Sequence, residues 1–290
     1  MIPLAVTTMV YDDAIYLDVW LRYWEQRLPR NNLYVFIHDN YEHYEAKLTG
    51  CNTLRIARPE MHPEFERDRW RMLSNFCSGL TYMFDRVIYT DVDEILVLAP
   101  NKGDDVVAHI LDLDSPLVCP FGLEVVQNTS VEKQPYTPHL PVLSQRQFVA
   151  PHGMYCKPCV ISEPIFWGSG GHFCDRDDAF LSDDLFLFHL RLFDENTYIQ
   201  RSKKRRLMIR DKNTGKTMRG VGGPSWRSSE NELSNFEEAA NPQLVRIEFP
   251  EVRATWRNSA KFDDYRGVWQ RKGPLTRKLF QIPESFKTVF

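Results

Sequence analysis

The first hundred residues alternate short apolar runs with amphipathic segments, and this alternation constrains the fold more than any other feature of the sequence. Periodicity predicts strands at PLAVTTMV, NLYVFIHDN, TLRIARP and RVIYT. It predicts helices between them at AIYLDVWLRYWEQRL, residues 41–49 and PEFERDRWRMLSNFCSGLTYMFD. This order predicts a Rossmann-like α/β fold with a mostly parallel central sheet and helices on both faces.

Acidic side chains follow three of these predicted strands. Asp12 and Asp13 come after the first strand, Asp39 after the second, and Asp91 and Asp93 after the fourth. In open α/β sheets, ligands bind beyond the carboxyl ends of the strands. Carboxylates that converge on one edge repel one another, so stability alone does not explain them. We therefore expect a ligand site at this edge.

The stretch RVIYTDVDEILVLAP, residues 86–100, places three carboxylates between two apolar runs. Asp91 and Asp93 are separated by one residue and could aim at one point if the backbone bends there. Hard oxygen ligands suit Mn²⁺ or Mg²⁺, and such ions usually hold substrate phosphates as well. A nucleotide diphosphate would complete the coordination shell of the metal. The metal would stabilise the negative charge that develops on the diphosphate as it leaves. The alternative is a solvated turn whose carboxylates face water.

Several classes of protein are disfavoured by what the sequence lacks. No GxGxxG follows the first strand and no GxxxxGK[ST] occurs, which argues against dehydrogenases and P-loop NTPases. The net charge of −3 gives no signal for a nucleic-acid partner. The opening MIPLAVTTMV is interpreted as a strand, and no apolar run approaches the roughly 18 residues of a membrane span. We expect a cytoplasmic protein, or one peripheral to the inner face of a membrane.

Six cysteines are present, and without a secretory signal we expect reduced thiols. Cys156 and Cys159 form a CxxC, followed by His172 and Cys174, and these groups could bind zinc. The spacing is not a standard zinc spacing, so buried thiols are favoured over a zinc site.

Five short stretches, in order along roughly the first 200 residues, resemble one family. They are YLDVWLRYWEQRLPRNNLYVFIHDN, RVIYTDVDEIL, KPCVIS, GGH at 170–172 and FHL at 188–190. Together they are similar to the metal-dependent nucleotide-sugar glycosyltransferases of the GT-A fold, in the family-2-like group with a compact single domain. The chain departs from the pattern at Trp24, where histidine is frequent, at Leu28-Pro29, which replaces a glycine, and at Ile95, which replaces phenylalanine.

The resemblance implies a domain plan. Residues 1–200 would form the GT-A domain, with a nucleotide-binding half at 1–100 and an acceptor half at 101–200. Residues 127–152, rich in proline, are predicted as a long loop over the site. Residues 201–290 would add a basic segment and an irregular C-terminal extension packed on the same domain. The basic run RSKKRR has three interpretations: a lid over the diphosphate, a site for an anionic acceptor or lipid headgroups, or a solvated face.

The same resemblance implies a set of metal ligands. Asp93 would be the main ligand, Asp91 would face the metal or the ribose, and His189 would return from a distant strand as a further ligand. His189 lies among Phe186, Phe188 and Leu190, so a core histidine is the alternative.

The resemblance also implies a set of donor-binding residues. Thr7 and Thr8 would line the nucleotide pocket and Asp39 would meet the uracil or ribose. Lys157 would contact donor phosphate or hold the acidic cluster, and His172 would sit near donor or acceptor as a catalytic residue. Asp39 could instead belong to a turn or helix cap, and Lys157 could be a surface charge.

Arg67 and Arg71 lie four residues apart on a predicted helix and so share one face. If that face turns to the cleft, either arginine could reach the diphosphate. Exposed arginines paired with Glu64 and Asp68 are an equally good interpretation.

Inverting transfer would need a general base, whereas retaining transfer would not. Asp183 and Asp184 rank first, because they precede His189 and follow the glycine-rich turn. The other candidates are Glu124, Asp175, Asp177 and Asp178.

The sequence thus predicts an enzyme that moves a sugar from a nucleotide diphosphate sugar, with UDP favoured, to a hydroxyl of a glycan or lipid-linked glycan. By resemblance, the pathway would be bacterial surface polysaccharide synthesis. One rival is a haloacid-dehalogenase-like phosphohydrolase, although the Gly-Thr that should follow its DxD is missing here. Another is a non-catalytic, GT-A-like carbohydrate-binding protein.

Overall fold

The computed structural model describes residues 2–227 and 231–290 and has a mixed α/β fold with a large central sheet. Its first four strands are all parallel, in the order β4-β1-β2-β3. The predicted strands and the two long helices are confirmed, but residues 41–49 hold only a 3₁₀ turn at Tyr41–His43. The elements are β1 Leu4–Val10, α1 Ala14–Glu25, β2 Leu33–His38, β3 Asn52–Ile56, α2 Phe65–Leu80 and β4 Arg86–Tyr89.

Helices cover both faces of this parallel half, as predicted. Alternate residues of a strand point to opposite faces of its sheet. In β1, Leu4, Val6 and Val10 pack in one core with α1, whereas Ala5 and Met9 pack in a second core with α2. The carboxyl ends of β1, β2 and β4 are therefore left free at one edge.

The second half of the sheet mixes directions. β5 and β9 are antiparallel partners, and this pairing places Glu94 directly opposite His189. β4 pairs antiparallel with β8, and β6 pairs antiparallel with β7 and β8 but parallel with β9. The elements are β5 Glu94–Leu98, α3 Val106–Leu111, β6 Leu117–Val126, α4 Val142–Gln145, β7 Phe148–Pro151, β8 Val160–Ile161 and β9 Phe180–Leu192.

The C-terminal part is not the irregular extension that the sequence predicts. β10 and β13 extend the central sheet beyond β7, and β11 and β12 form a separate hairpin. The predicted loop over the site at 127–152 is also wrong: it contains α4 and β7 and packs on α1, where Arg22 donates to the carbonyls of Pro138 and Leu140. The elements are α5 Glu195–Met208, β10 Glu237–Gln243, α6 Pro250–Asn258, β11 Lys261–Asp263, β12 Val268–Gln270 and β13 Lys278–Gln281.

The basic run forms the middle of α5, whose first turn is firmly anchored. Asp194 caps the helix by accepting from the Thr197 amide at 2.9 Å, a favoured N-cap arrangement. The same carboxylate pairs with buried Arg146 at 3.1 Å. Tyr198 and Ser202 are buried on the inner side of the helix.

The six cysteines are separate thiols, and five of them are buried. Burial raises the pKa of Cys156 and Cys174 to about 12, so both stay protonated. None of the helices within residues 2–227 and 231–290 is both long enough and apolar enough to cross a membrane.

Candidate functional site

A cavity of about 900 Å³ opens at the carboxyl edge of β1, β2 and β4, where the sequence predicts a ligand site. The residues that follow β1 and β4 form its floor, and α5 closes one side. The glycine-rich turn at 168–172 and the tip of the β11–β12 hairpin form another part of the wall.

Asp91 is held inside a closed ionic cluster. The Lys157 ammonium lies 3.0 Å from the Asp91 carboxylate and 2.5 Å from that of Glu94, and the Tyr89 hydroxyl donates to Asp91 at 3.2 Å. Burial would raise the pKa of Asp91, but Lys157 and Arg69 outweigh it, and the pKa is lowered. Lys157 is therefore no surface charge, and it fulfils the predicted role of holding the acidic cluster.

Asp93 has two partners at the cavity, His189 and Arg201. Its Oδ2 atom lies 3.5 Å from Nε2 of His189 and accepts from the Arg201 guanidinium. His189 Nδ1 donates to both oxygens of the buried Glu124 at 3.1 Å. Burial would lower the pKa of His189, but Glu124 and Asp93 raise it to about 9. The prediction that His189 returns beside the DxD from a distant strand is confirmed.

Cations of α5 neutralise the rest of the acidic edge. Arg201 contacts Asp13 through Nε and a second nitrogen, both at 2.9 Å, and Lys204 pairs with Asp12 at 2.7 Å. These contacts explain how the converging carboxylates are tolerated. The sequence analysis did not single out Arg201, although the density of cations in RSKKRR was the available signal.

The side chain of Arg205 lines the same cavity and forms no ion pair or hydrogen bond within the part of the chain that the structure describes. Its guanidinium lies over the Trp226 ring, 5.5 Å from the centroid. Burial and neighbouring Arg201 lower its pKa. A desolvated guanidinium beside a like charge is stabilised by an anion, so Arg205 is a candidate phosphate ligand.

The donor set fits a divalent cation with two protein ligands. Two ligands of an octahedral ion, each roughly 2.1 Å from it, lie roughly 3 Å apart, close to the Asp93–His189 separation. Glu124 accepts from the other ring nitrogen of His189 and so fixes the orientation of the ring, as carboxylates commonly do behind metal-binding histidines. The described ranges hold no group of three His, Cys, Asp or Glu placed for a metal, at Asp93 or near Cys156. Asp91, the other predicted metal ligand, is paired with Lys157.

His172 lies on the cavity wall, as predicted. Its Nδ1 donates to the Met154 carbonyl at 2.7 Å, which leaves Nε2 as an acceptor. Burial and Lys157 lower its pKa to about 3, so the ring stays neutral. The adjacent Gly171 has φ 66°, and a Cβ there would lie 2.2 Å from the Trp70 ring. Only glycine allows this approach of the turn to α2.

The predicted nucleotide pocket is wrong at three positions. Thr7 and Thr8 are fully buried inside β1, where Thr7 donates to the Ile88 carbonyl at 2.8 Å. β1 ends at Val10, as the sequence predicts, and the cavity is lined from this strand by Met9 and then by Tyr11, Asp12 and Asp13. Asp39 is exposed, with φ 74°, and belongs to a turn outside the cavity.

Of the three arginines of α2, the two that the sequence predicts as diphosphate ligands are mainly exposed. Arg67 reaches the cavity rim but pairs with Glu64 at 2.8 Å and Asp68 at 3.2 Å. Arg71 lies in a separate shallow depression with Asp68, so its predicted diphosphate role is wrong.

The predicted general bases Asp183 and Asp184 are also wrong. They lie near the start of β9, five or six residues before His189, which corresponds to about 17–20 Å along an extended strand. Asp183 pairs with Arg253 at 3.1 Å and Asp184 with Lys102 at 3.2 Å. These residues were predicted near the site because they are close to His189 in sequence. The segment is one continuous strand of 13 residues, which carries them away from it.

Comparisons with known proteins do not assign a family. No family model matches the sequence, and no curated protein matches it. A mycobacterial protein of known crystal structure is similar in part, with 17% identity and a TM-score of 0.27. That match covers 44% of this chain and 42% of the mycobacterial protein, so the chain matches less than half of its length.

Proposed function

We propose that this chain is a metal-dependent glycosyltransferase of the GT-A type that uses a nucleotide diphosphate sugar. The observation that carries the proposal is that one cavity holds both a cation-binding set and an arginine that forms no ion pair within residues 2–227 and 231–290. Asp93 and His189 offer ligands to a metal, and Arg205 offers donors to an anion. A metal-bound diphosphate is a ligand that needs both.

Different residues of the chain would bind the metal and the diphosphate. Asp93 and His189 hold the divalent ion, and Glu124 keeps His189 oriented. When bound, the ion supplies positive charge that stabilises the departing diphosphate. Arg205 would donate to phosphate oxygens from α5, because Asp13 and Asp93 attract it but neither forms an ion pair with it in the described part of the chain.

The nucleoside would lie beyond β1 and β2, at residues that replace the predicted Thr7, Thr8 and Asp39. His38 stacks on Phe65 with ring centroids 5.6 Å apart and planes 13° apart. Arg58 lies over the Tyr11 ring, 3.7 Å from the centroid. All four line the cavity, and together they offer flat faces and hydrogen-bond donors to a base.

The acceptor sugar would enter on the opposite side, at the β11–β12 hairpin. Tyr265 at the hairpin tip is 95% exposed and lines the cavity mouth. The Trp269 amide donates to the Cys174 carbonyl at 2.6 Å and ties this hairpin to the turn that carries His172. An exposed aromatic face suits a sugar ring, and His172 Nε2 is available to accept from a hydroxyl.

Thermal unfolding with a panel of nucleotides, with and without Mn²⁺, tests the proposal. We expect one nucleoside diphosphate to stabilise the protein only with Mn²⁺, and Asp93→Asn to lose that effect. An acceptor screen follows with radiolabelled nucleotide sugars. Phosphate release without any sugar acceptor would favour the phosphohydrolase. Binding without turnover across the acceptor panel would favour the carbohydrate-binding protein.

A further inference from the structure

One oxygen of Asp93 has two competing neighbours. Oδ2 accepts from Nη1 of Arg201, and the same atom faces Nε2 of His189 at 3.5 Å. A divalent ion bound between Asp93 and His189 would need this oxygen. Arg201 therefore occupies a coordination position of the proposed metal site.

We propose that Arg201 is a built-in counter-ion that competes with the divalent metal for Asp93 and is released when the donor diphosphate binds. The inference rests on the proposed function and adds a regulation of that site. Metal and diphosphate would then bind in a mutually dependent way, each raising the affinity for the other.

The contacts of Arg201 allow this exchange without unfolding α5. Its Nε and Nη2 atoms hold both oxygens of Asp13 at 2.9 Å, and its guanidinium lies over Tyr16, 4.4 Å from the ring centroid. Giving up Asp93 breaks only the contact of Nη1. The helix stays anchored at Asp194, so a side-chain movement suffices.

Release from Asp93 leaves Nη1 of Arg201 without a partner, and this explains why metal binding would depend on the diphosphate. A desolvated guanidinium donor without a partner is costly, and the metal alone offers it none. The metal alone would also place a dication beside Arg201 and Arg205, which already repel each other. A diphosphate oxygen gives the freed donor a partner and neutralises this repulsion.

Direct measurement of Mn²⁺ binding by electron paramagnetic resonance tests the inference without turnover. Wild type and Arg201→Met are titrated with Mn²⁺, alone and with UDP as the probe. Lys204→Met is the matched control, because it removes the same charge from α5 but breaks only the exposed pair with Asp12. Arg201→Lys is the second variant in case Arg201→Met does not fold, since an ammonium lacks the fork that holds Asp13 and Asp93 together.

We expect Arg201→Met to bind Mn²⁺ alone roughly tenfold more tightly than wild type, and Lys204→Met to stay within roughly twofold. UDP should tighten Mn²⁺ binding more in wild type than in Arg201→Met. Equal Mn²⁺ affinity in wild type and both Arg201 variants, with binding still lost in Asp93→Asn, would overturn the counter-ion and leave the proposed function standing. No Mn²⁺ binding in any variant, even with UDP, would overturn both.

Discussion

The two aspartates of the DxD stretch lie two residues apart and have opposite surroundings. Asp91 is locked to Lys157, which is 5% exposed and also holds the buried Glu94. Both aspartates line the cavity, and Asp93, the more buried of the two, shares its carboxylate between Arg201 and His189, each of which has another carboxylate to bind. The difference lies in the partners: one aspartate belongs to a cluster around a buried lysine, and the other lies beside the histidine with which we propose that it binds a metal.

The largest effect that we expect comes from the closed cluster. Lys157→Met leaves Glu94, 1% exposed, without its cation, and should lower the free energy of unfolding by roughly 3–5 kcal/mol. Chemical denaturation measures this loss. Lys204→Met breaks an exposed pair and should cost at most about 1 kcal/mol. If the two variants lost equal stability, Asp91 and Asp93 would not differ as described.

The cluster of Asp93, His189 and Glu124 should make the free energy of unfolding depend on pH. Its pKa is raised from 6.5 to about 9 in the folded protein, so the stabilisation is complete below pH 6.5 and is lost as the pH rises through about 9. The free energy of unfolding of wild type, measured with chelator present, should fall across this window by roughly 1.4 kcal/mol per unit of pKa shift at most. His189→Gln should lack this fall, and parallel curves for the two proteins would contradict the assignment.

Arg205 tests the site around Asp93 through the affinity for a nucleoside diphosphate. Arg205→Met should weaken nucleoside diphosphate binding by roughly 1.5–3 kcal/mol, because a charged hydrogen bond is lost. It should change the stability of the free protein little, because the variant removes both the repulsion with Arg201 and the attraction to Asp13 and Asp93. Calorimetry and denaturation measure the two effects. Arg67→Met is the control, since Arg67 reaches the same cavity but is already paired; a loss of affinity there as large as in Arg205→Met would argue against Arg205.

Local patterns in the sequence predicted the parallel half of the sheet and the acidic edge. Strand and helix periodicity sufficed for β1, β2 and β4, and strand direction then placed their carboxyl ends together. Thr7 and Thr8 were misplaced because their role came from the family resemblance, whereas the end of β1 at Val10 was predicted correctly by periodicity.

Contacts between distant segments set the rest of the site. Arg201 lies 108 residues from Asp93 in sequence, and only the packing of α5 across the edge brings them together. The prediction for Asp183 and Asp184 was wrong for the converse reason. They are neighbours of His189 in sequence, but the extended strand places them far from it. The aromatic faces of Tyr11, His38 and Phe65 come from three elements, and no single motif marks them.

The most direct test of the metal-dependent nucleotide-sugar site is ligand stabilisation in wild type and Asp93→Asn. At about 100 times its Kd, a specific nucleoside diphosphate with Mn²⁺ should raise the free energy of unfolding by roughly 2.7 kcal/mol in wild type. Asp93→Asn should fold but show no such Mn²⁺-dependent rise. Equal stabilisation of both proteins, or none in wild type with any nucleotide, would contradict the account.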